Sequence, residues 1–246
     1  MNWPGYYVRG KVWESSSSEV FRAERISDGL PVYLKMAAGP SPSPDRLTML
    51  RHEYRISSML TGQSGVIATY GLERDGPRLA LVSEDFGGQA VDRALSLEAE
   101  RIELKTLLEI AIGAARALEQ VHAAGVLHKD ISPANLIWNA ATGQVKLVDF
   151  GISTTLTSET RGATDLHLLE GTLAYMAPEQ TGRMNRQLDQ RGDLYGLGAT
   201  LYRLMTGRPP FKASDPLELV HAHLARNPEP PHLIRPELPP VLSHIL

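Results

Sequence analysis

Apolar and polar residues alternate in short runs through the first part of the chain. A period of two is typical of strands that bury one face, whereas apolar residues three and four apart indicate a helix. The alternation predicts strands over residues 6–12, 19–24, 31–36, 66–72 and 78–83. Between the third and fourth strands, residues 45–60 have helical spacing, and Asp28-Gly29 predicts a hairpin turn between the second and third.

The pattern changes after Gly87-Gly88, where helical spacing becomes dominant. Helices are predicted over residues 106–124, 192–206, 216–226 and 241–246, and short strands over residues 136–138 and 145–148. A strand-rich part with one helix, followed by a mostly helical part, predicts an α+β fold. We expect two lobes, residues 1–86 and 87–246, which join near residues 84–88.

Composition limits the classes of function that need to be considered. The 246 residues are 42% hydrophobic, which suffices for one large domain or two lobes with their own cores. A formal net charge of −3 provides no basic surface for nucleic acid or an anionic membrane. Cysteine is absent, which excludes disulfides and thiolate metal sites. No signal peptide or bilayer-spanning run is evident, so we expect a cytoplasmic protein that binds neither nucleic acid nor a membrane.

A small set of polar residues carries the candidate chemistry: Lys35, Glu53, Asp130, Asn135 and Asp149. Each alone has an ordinary structural interpretation, such as a solvated strand end, a helix-surface carboxylate or a turn-forming aspartate. In order, they offer a cation with a carboxylate partner, an acceptor for a hydroxyl proton and two oxygen ligands suited to Mg²⁺. Asp130 lies within HKDISPAN, and Asp149 opens an Asp-Phe-Gly triplet. The combination is far more specific than any one of its members.

Two later motifs, Ala177-Pro178-Glu179 and the DLYGLG run that begins at Asp193, extend this pattern. With them, nearly the whole chain resembles the eukaryotic-like Ser/Thr protein kinase family. The resemblance implies a bilobal kinase fold, in which residues 1–86 form the smaller lobe and residues 87–246 an incomplete larger lobe. It also implies that the DLYGLG helix anchors the loop around Asp130. Glu179 is expected to be unpaired or differently paired, because its usual arginine partner has no evident place in the chain.

A narrower resemblance concerns HKDISPANLIWN, GQVKLVDFGIS, EGTLAYMAPEQTGRMNR and DPLELVHAHLAR. These segments resemble the N-terminal kinase-like domain of large bacterial hybrid sensor proteins. In such proteins this domain precedes an ATPase module, a GAF domain and a sensor histidine kinase. The resemblance implies that the chain is part of a longer signalling polypeptide, with a protein substrate and further signalling domains as partners.

The kinase resemblance assigns roles to individual residues, with ATP and Mg²⁺ as cofactors. Asp130 is expected to act as the catalytic base toward a substrate hydroxyl, and Lys35, held by Glu53, to contact the nucleotide phosphates. Asn135 and Asp149 are expected to hold magnesium. The other expected nucleotide-binding residues are Val20, Glu84, Phe86, Ser132 and Ile137.

Several positions near the nucleotide depart from the family pattern: Trp13, Ser15, Ser18, Tyr33, Lys129 and Ser132. The first three take the glycine positions of the loop that covers the phosphates, where a missing Cβ allows close backbone approach. Tyr33 stands where a small alanine usually lies over the adenine. Ser132 replaces a lysine that touches the γ-phosphate, and Lys129 replaces an arginine without its bidentate fork. Ser83, at the gatekeeper position, predicts an open back pocket.

More than one function therefore remains open. The complete set of candidate residues predicts an active Ser/Thr kinase, and Thr172 favours serine and threonine acceptors over tyrosine. In that case Lys129 is expected to bind a phosphorylated residue of the polar loop, with candidate sites at Thr154, Thr155, Thr157, Ser158, Thr160 and Thr164. The departures instead favour a pseudokinase, a regulatory module with weak or no nucleotide binding. A small-molecule phosphotransferase of the same fold is a third candidate, but such enzymes generally lack the Ala-Pro-Glu segment.

Overall fold

The fold is described here by a computed structural model for residues 2–98, 102–156, 173–181 and 188–246. The described chain is mostly β-sheet up to Glu84 and mostly helical beyond it. The two parts form a smaller and a larger lobe, so the predicted α+β, bilobal fold is confirmed. None of the helices in the described ranges combines the length and the apolar character that crossing a membrane requires.

The smaller lobe is an antiparallel sheet in the order β1-β2-β3-β5-β4. Its strands are β1 (Tyr6–Glu14), β2 (Ser18–Arg25), β3 (Pro31–Ala37), β4 (Thr69–Asp75) and β5 (Arg78–Glu84). The predicted turn between β2 and β3 is present, because Gly29 takes a φ of 71° and Asp28 Oδ1 accepts a hydrogen bond from Leu30 N at 3.2 Å. The turn therefore sets the register in which β3 pairs with β2.

A single helix, α1 (Pro44–Met59), packs against this sheet. It begins where Ser43 accepts a hydrogen bond from Arg46 N, and Pro44 fills a first-turn position that needs no N–H donor. Leu50 of α1 packs with Leu79 and Leu81 of β5, while the alternate residues Ala80 and Val82 belong to the core on the opposite face of the sheet. The helix therefore covers one face of the sheet.

One predicted strand is misplaced, because residues 66–72 were expected to form it and β4 begins three residues later, at Thr69. Val66 instead forms an isolated bridge with Leu147 of the larger lobe and is almost fully buried against α3. Its hydrophobicity reflects contact between the lobes and not membership of the sheet. A pattern of apolar residues cannot distinguish these two kinds of burial.

The larger lobe is built around helix α3, whose buried side chains form the main core with α4 and the short strands. The helices are α2 (Val91–Glu98), α3 (Leu104–Ala123), α4 (Gln190–Thr206), α5 (Pro216–Ala225), α6 (Pro231–Ile234) and α7 (Pro240–Ile245). The short strands are β6 (Gln89–Ala90), β7 (Val126–Leu127), β8 (Leu136–Trp138), β9 (Val145–Leu147) and β10 (Thr154–Thr155). The predicted helices α3, α4, α5 and α7 lie within two residues of their expected bounds.

The elements that the sequence did not predict are short. α2, α6 and the two-residue strands β6, β7 and β10 are too brief to show a period, and each depends on a distant partner. Within the described ranges β7, for example, pairs with β10 alone, where Thr154 lies opposite Leu127 and Thr155 opposite Val126. α6 lies in a proline-rich segment, where Pro231 starts a helix without needing a donor. Tertiary contacts therefore decide these elements.

Candidate active site

Lys35 projects from β3 into the space between the lobes. In β3 the alternate residues Val32, Leu34 and Met36 are buried in the sheet core, which puts Lys35 on the opposite face. Its Nζ lies 2.9 Å from both carboxylate oxygens of Glu53 on α1 and 2.8 Å from Asp149 Oδ1. The ion pair expected from the sequence is present, and Lys35 also bridges the two lobes.

These buried groups perturb one another's protonation. Burial alone would lower the pKa of Lys35, but the charges of Asp149 and Glu53 raise it above its ordinary value. Burial would likewise raise the pKa of Asp149, but Lys35 holds that pKa below its ordinary value. Burial raises the pKa of Glu53 to about 7 despite the attraction of Lys35. Lys35 and Asp149 are thus fixed in their charged forms, whereas Glu53 is the group of the three that titrates near neutral pH.

Asp130 and Asn135 face each other across the loop that follows β7. Asn135 Nδ2 donates to the backbone oxygen and to Oδ2 of Asp130, each at 2.9 Å. Val148 N donates to the backbone oxygen of Asn135 at 3.1 Å, which connects this loop to the residue just before Asp149. Because both of its amide hydrogens are engaged, Asn135 is left with Oδ1 as the atom that could coordinate a cation.

The Asp130 loop is anchored by Asp193 of α4, in the way that the DLYGLG motif predicted. Asp193 Oδ2 accepts from His128 N at 2.8 Å, and Oδ1 accepts from Lys129 N at 2.7 Å. His122 Nε2 approaches the same carboxylate at 2.9 Å. Lys129 has a φ of 69°, an unusual backbone conformation for a residue with a side chain, and the buried carboxylate fixes it there.

Gln180 adds a second support that the sequence did not indicate. Its Nε2 donates to the backbone oxygen of Lys129 at 2.7 Å, and its Oε1 accepts from Ala177 N at 3.1 Å. The Ala-Pro-Glu segment is thereby connected to the loop that carries Asp130. Glu179 forms no ion pair within the described ranges, where Arg191 pairs with Asp189 at 2.5 Å.

The Asp-Phe-Gly triplet is held by histidines on both sides. The ring of Phe150 is fully buried, 4.8 Å from the ring of His128, whose Nε2 lies 3.0 Å from the backbone oxygen of Val148. His52 of α1 reaches across to the backbone oxygen of Ser153 at 2.6 Å. The His52 contact has no local signal in the sequence, because its partner lies far along the chain. α1 is therefore bonded to the segment after the triplet as well as to Lys35.

The residues expected around the adenine lie at the junction of the lobes. Val20 pairs directly opposite Lys35 in the sheet, and Ile137 lies in β8 opposite Lys146. The side chain of Glu84 is bonded to Lys146 Nζ and to Ala68 N, which leaves its backbone as the part that could contact a nucleotide. This use of Glu84 was not foreseen.

Two other expected nucleotide-binding residues are engaged by the protein itself. The backbone oxygen of Phe86 accepts a hydrogen bond from Asn139 Nδ2 at 2.6 Å, so its N–H is the group left for a base. Ser132 is only 5% exposed, and its backbone oxygen accepts from Asn135 N at 3.0 Å. Ser132 therefore shapes the loop, and its short buried side chain cannot reach as far as the lysine usual at this position.

Tyr33 is directed toward the connection between the lobes. It lies opposite Arg22 and Ser83 in the sheet, and the Arg22 guanidinium is 5.8 Å from the centre of its ring. Arg22 also forms two hydrogen bonds with Asp85, at 2.5 and 3.1 Å. Burial raises the pKa of Tyr33, and the charge of Asp85 acts in the same direction. This cluster holds the aromatic ring beside the hinge.

The remaining sequence predictions fall partly outside the described residues. Thr154 and Thr155 lie in β10, whereas Thr172 and four candidate phosphorylation sites, Thr157, Ser158, Thr160 and Thr164, are outside the described ranges. The oxygen donors of Asn135 and Asp149 fit a hard cation such as Mg²⁺, which takes few protein ligands and relies on phosphate oxygens for the rest.

Comparison with known proteins agrees with this geometry. The chain matches the family model for the protein kinase domain over residues 6–238. It is 30% identical to a probable serine/threonine-protein kinase of Streptomyces coelicolor, over 98% of this chain and 36% of that protein. It is 33% identical to the DNA damage-responsive serine/threonine-protein kinase RqkA of Deinococcus radiodurans, again over 98% of this chain and 36% of the relative. It is 32% identical to the serine/threonine-protein kinase pkn3 of Myxococcus xanthus, over 94% of this chain and 43% of that protein.

The chain thus spans less than half the length of these three relatives. The family match runs from the first residue of β1 to Leu238, and it includes every candidate catalytic and metal-binding residue described above. Lys35, Glu53 and Asp149 meet between the lobes, and the Asp130–Asn135 pair is bonded to the residue just before Asp149. This chain belongs to the protein kinase domain family.

Proposed function

We propose that the chain transfers the γ-phosphoryl group of ATP to a serine or threonine hydroxyl of a protein. The observation that carries the proposal is the position of Lys35 between Glu53 and Asp149, within 2.9 Å of both carboxylates. A lysine held in this way presents one fixed positive charge where phosphates would bind. The printed names of the relatives above, all serine/threonine-protein kinases, support the same acceptor class.

In this proposal Asp130 accepts the proton of the attacking hydroxyl and orients it toward the phosphorus. Asn135 keeps the Asp130 carboxylate in place through its Nδ2 bond. Magnesium, when bound with the nucleotide, would neutralise charge on the phosphate oxygens, and Asn135 and Asp149 are the residues that would hold it. The anchoring of the loop by Asp193 fixes these groups before a substrate arrives, which reduces the ordering that reaction requires.

The same proposal assigns the adenine to the space between Val20 and Ile137, with the backbone of Glu84 and Phe86 at its edge. Ser132 is assigned a supporting role there, because it is buried in the loop. Thr172 would favour serine and threonine acceptors, and a phosphorylated residue after the triplet would bind Lys129. The lobes in this proposal are residues 1–86 and 87–246.

We further propose that the chain is the kinase part of a longer cytoplasmic signalling protein. Its relatives extend well beyond the matched region, since it covers 36% of two of them. The resemblance to hybrid sensor proteins supports further signalling domains in the same polypeptide as partners. A cytoplasmic location agrees with a supply of ATP.

The test combines binding and turnover. Mg-ATP bound to the native state must raise the melting temperature, by an amount set by its concentration relative to Kd. Phosphate incorporation into the chain or a protein substrate is then measured for wild type and for Asp149→Ala. We expect a rise in melting temperature, and incorporation that Asp149→Ala abolishes. Absence of any rise at millimolar Mg-ATP would support the pseudokinase instead.

A further inference from the structure

The turn between β1 and β2 is bonded to two other elements of the smaller lobe. Arg46 of α1 donates from Nη2 to the backbone oxygen of Ser16 at 2.8 Å, and from Nη1 to that of Ala38 at 3.0 Å. Ala38 N donates to the backbone oxygen of Ser17 at 2.9 Å. Two consecutive carbonyl groups of the turn are therefore held by α1 and by the end of β3.

Fixing these carbonyls also fixes the amides that follow them. A trans peptide is planar, so the N–H of each unit points away from its carbonyl oxygen. The amides of Ser17 and Ser18 accordingly converge on one atom, Ser15 Oγ, at 3.2 and 3.1 Å. Two backbone amides directed at one oxygen are the arrangement with which a protein backbone binds phosphate. Among the described residues, Lys129 and Asp149 are the only ones other than glycine with a positive φ. The serines of the turn therefore have ordinary backbone angles and form it without strain.

Arg46 shares its face of α1 with Glu53. The two residues are seven positions apart, which is close to two full turns of an α-helix. Glu53 bonds Lys35 at 2.9 Å, and Arg46 bonds the turn at 2.8 Å. One rigid helix therefore sets the position of Lys35 and of the two converging amides together.

We propose that Arg46 is a positioning residue for the phosphates of the nucleotide. It holds the glycine-free turn so that the amides of Ser17 and Ser18 can exchange the Ser15 hydroxyl for a phosphate oxygen. The same nucleotide would also contact Lys35. This inference rests on the proposed function, because it takes ATP as the ligand. It also explains how a turn with Trp13, Ser15 and Ser18 at the glycine positions can bind phosphate.

The first experiment compares Mg-ATP with adenosine, which lacks phosphates, by titration calorimetry. Arg46→Ala should raise the Kd for Mg-ATP roughly tenfold, as expected for about 1.4 kcal/mol of lost interaction, and leave the Kd for adenosine unchanged. Arg46→Lys should give a Kd for Mg-ATP between those of the wild type and Arg46→Ala, because one ammonium nitrogen does not span the two carbonyls as the two guanidinium nitrogens do. Arg51→Ala, at an exposed arginine of the same helix, is the matched control and should bind both ligands as the wild type does.

The second experiment needs no ligand. Hydrogen exchange at the amides of Ser17 and Ser18 should be faster in Arg46→Ala than in Arg51→Ala. Equal exchange in the two variants, or equal loss of Mg-ATP and adenosine affinity in Arg46→Ala, would overturn the role of Arg46. A wild-type chain that binds Mg-ATP more tightly than adenosine but transfers no phosphate would instead contradict the proposed function alone.

Discussion

At the scale of single residues, the site depends on charges that are kept out of water. The side chains of Lys35 and Glu53 are 15% and 7% exposed, so burial penalises the charged form of each, and Asp149 competes with Glu53 for the same lysine. With two carboxylates around one ammonium, the more deeply buried carboxylate titrates at higher pH. Its position on α1 therefore makes Glu53 the pH-sensitive member of the site.

Glu53→Gln should remove a pH dependence of stability. The folded pKa of Glu53 is raised to about 7 from its ordinary value of 4.5, so the folded chain keeps a proton that the unfolded chain loses. Its contribution to the free energy of unfolding is complete below pH 4.5 and is lost as pH rises to about 7, by roughly 1–3 kcal/mol. Urea denaturation across this window should show the stability difference between wild type and Glu53→Gln shrinking as pH rises.

Glu109→Gln, at an exposed position on α3, provides the control for that experiment. Its stability should follow the wild-type pH dependence across the same window. A wild-type advantage over Glu53→Gln that grows with pH would mean that attraction to Lys35 outweighs burial.

Asp130→Asn should separate chemistry from nucleotide binding. The amide cannot accept the hydroxyl proton, and loss of a general base lowers turnover by about 10²–10⁴-fold. The rise in melting temperature with Mg-ATP should persist, because the proposed phosphate and metal contacts are made by other residues. Steady-state kinetics and thermal melts test both parts, with Asp75→Asn in the β4–β5 hairpin as the control. An unchanged kcat would exclude Asp130 as the base.

At the scale of elements, α4 acts as the support of the catalytic loop. Asp193 lies in its first turn and is 4% exposed, and it accepts hydrogen bonds from two consecutive backbone amides of the loop. Helix α1 has the corresponding role in the smaller lobe, where Arg46, His52 and Glu53 bond three separate segments. Helices α4 and α1 thus fix residues on loops, and α1 also fixes Lys35 of β3.

Asp193→Asn should damage stability and turnover together. The variant directs an amide group at His128 N and Lys129 N, which need two acceptors, and loses the charge that strengthens these bonds. We expect a loss of about 2–3 kcal/mol in the free energy of unfolding and a lower kcat. Asp189→Ala, which removes the N-cap of the same helix, should cost about 1 kcal/mol and leave kcat of the folded enzyme unchanged. Equal loss of kcat in Asp193→Asn and Asp189→Ala would mean that Asp193 does not anchor the catalytic loop specifically.

At the scale of the whole molecule, the lobes are joined by a strip of backbone contacts as well as by Lys35. Leu147 N donates to the backbone oxygen of Gly65 at 2.9 Å, and Ile67 N donates to that of Leu147 at 3.0 Å. Gly65 lies directly on α3, where a Cβ would come within 2.6 Å of Ala117 Cα. The smaller lobe therefore sits on the central helix of the larger one without room for a side chain.

Gly65→Ala should push the lobes apart at this point. The added methyl meets backbone that cannot rotate away, so we expect destabilisation of about 1–3 kcal/mol and reduced turnover. Gly71→Ala, in β4 with open space around it, is the matched control and should change stability by less than about 1 kcal/mol. Chemical denaturation measures the change in stability, and activity at saturating ATP measures the change in turnover. A Gly65→Ala protein as stable as Gly71→Ala would show that the contact is not tight.

Much of the site was predictable because the chemistry fixes residue types at short spacings. Asp130, Asn135 and Asp149 lie close along the chain, and the DLYGLG run indicated the anchor at Asp193. The contacts of Arg46, His52, Asn139, Lys146 and Gln180 were not predictable, since each joins segments that are distant in sequence. Val66 shows the same limit for the fold, because its burial comes from the other lobe.

The sequence by itself determined the α+β order of elements, the longer helices and the set of residues that can handle phosphate and magnesium. Periodicity and motif spacing are local properties, so they can be recognised in the sequence without knowledge of the fold. Only the tertiary structure decided that Lys35 bridges two carboxylates, that Ser132 is buried, and that Arg46 holds the serine turn. These facts depend on distances between segments far apart in the chain, and packing alone sets such distances.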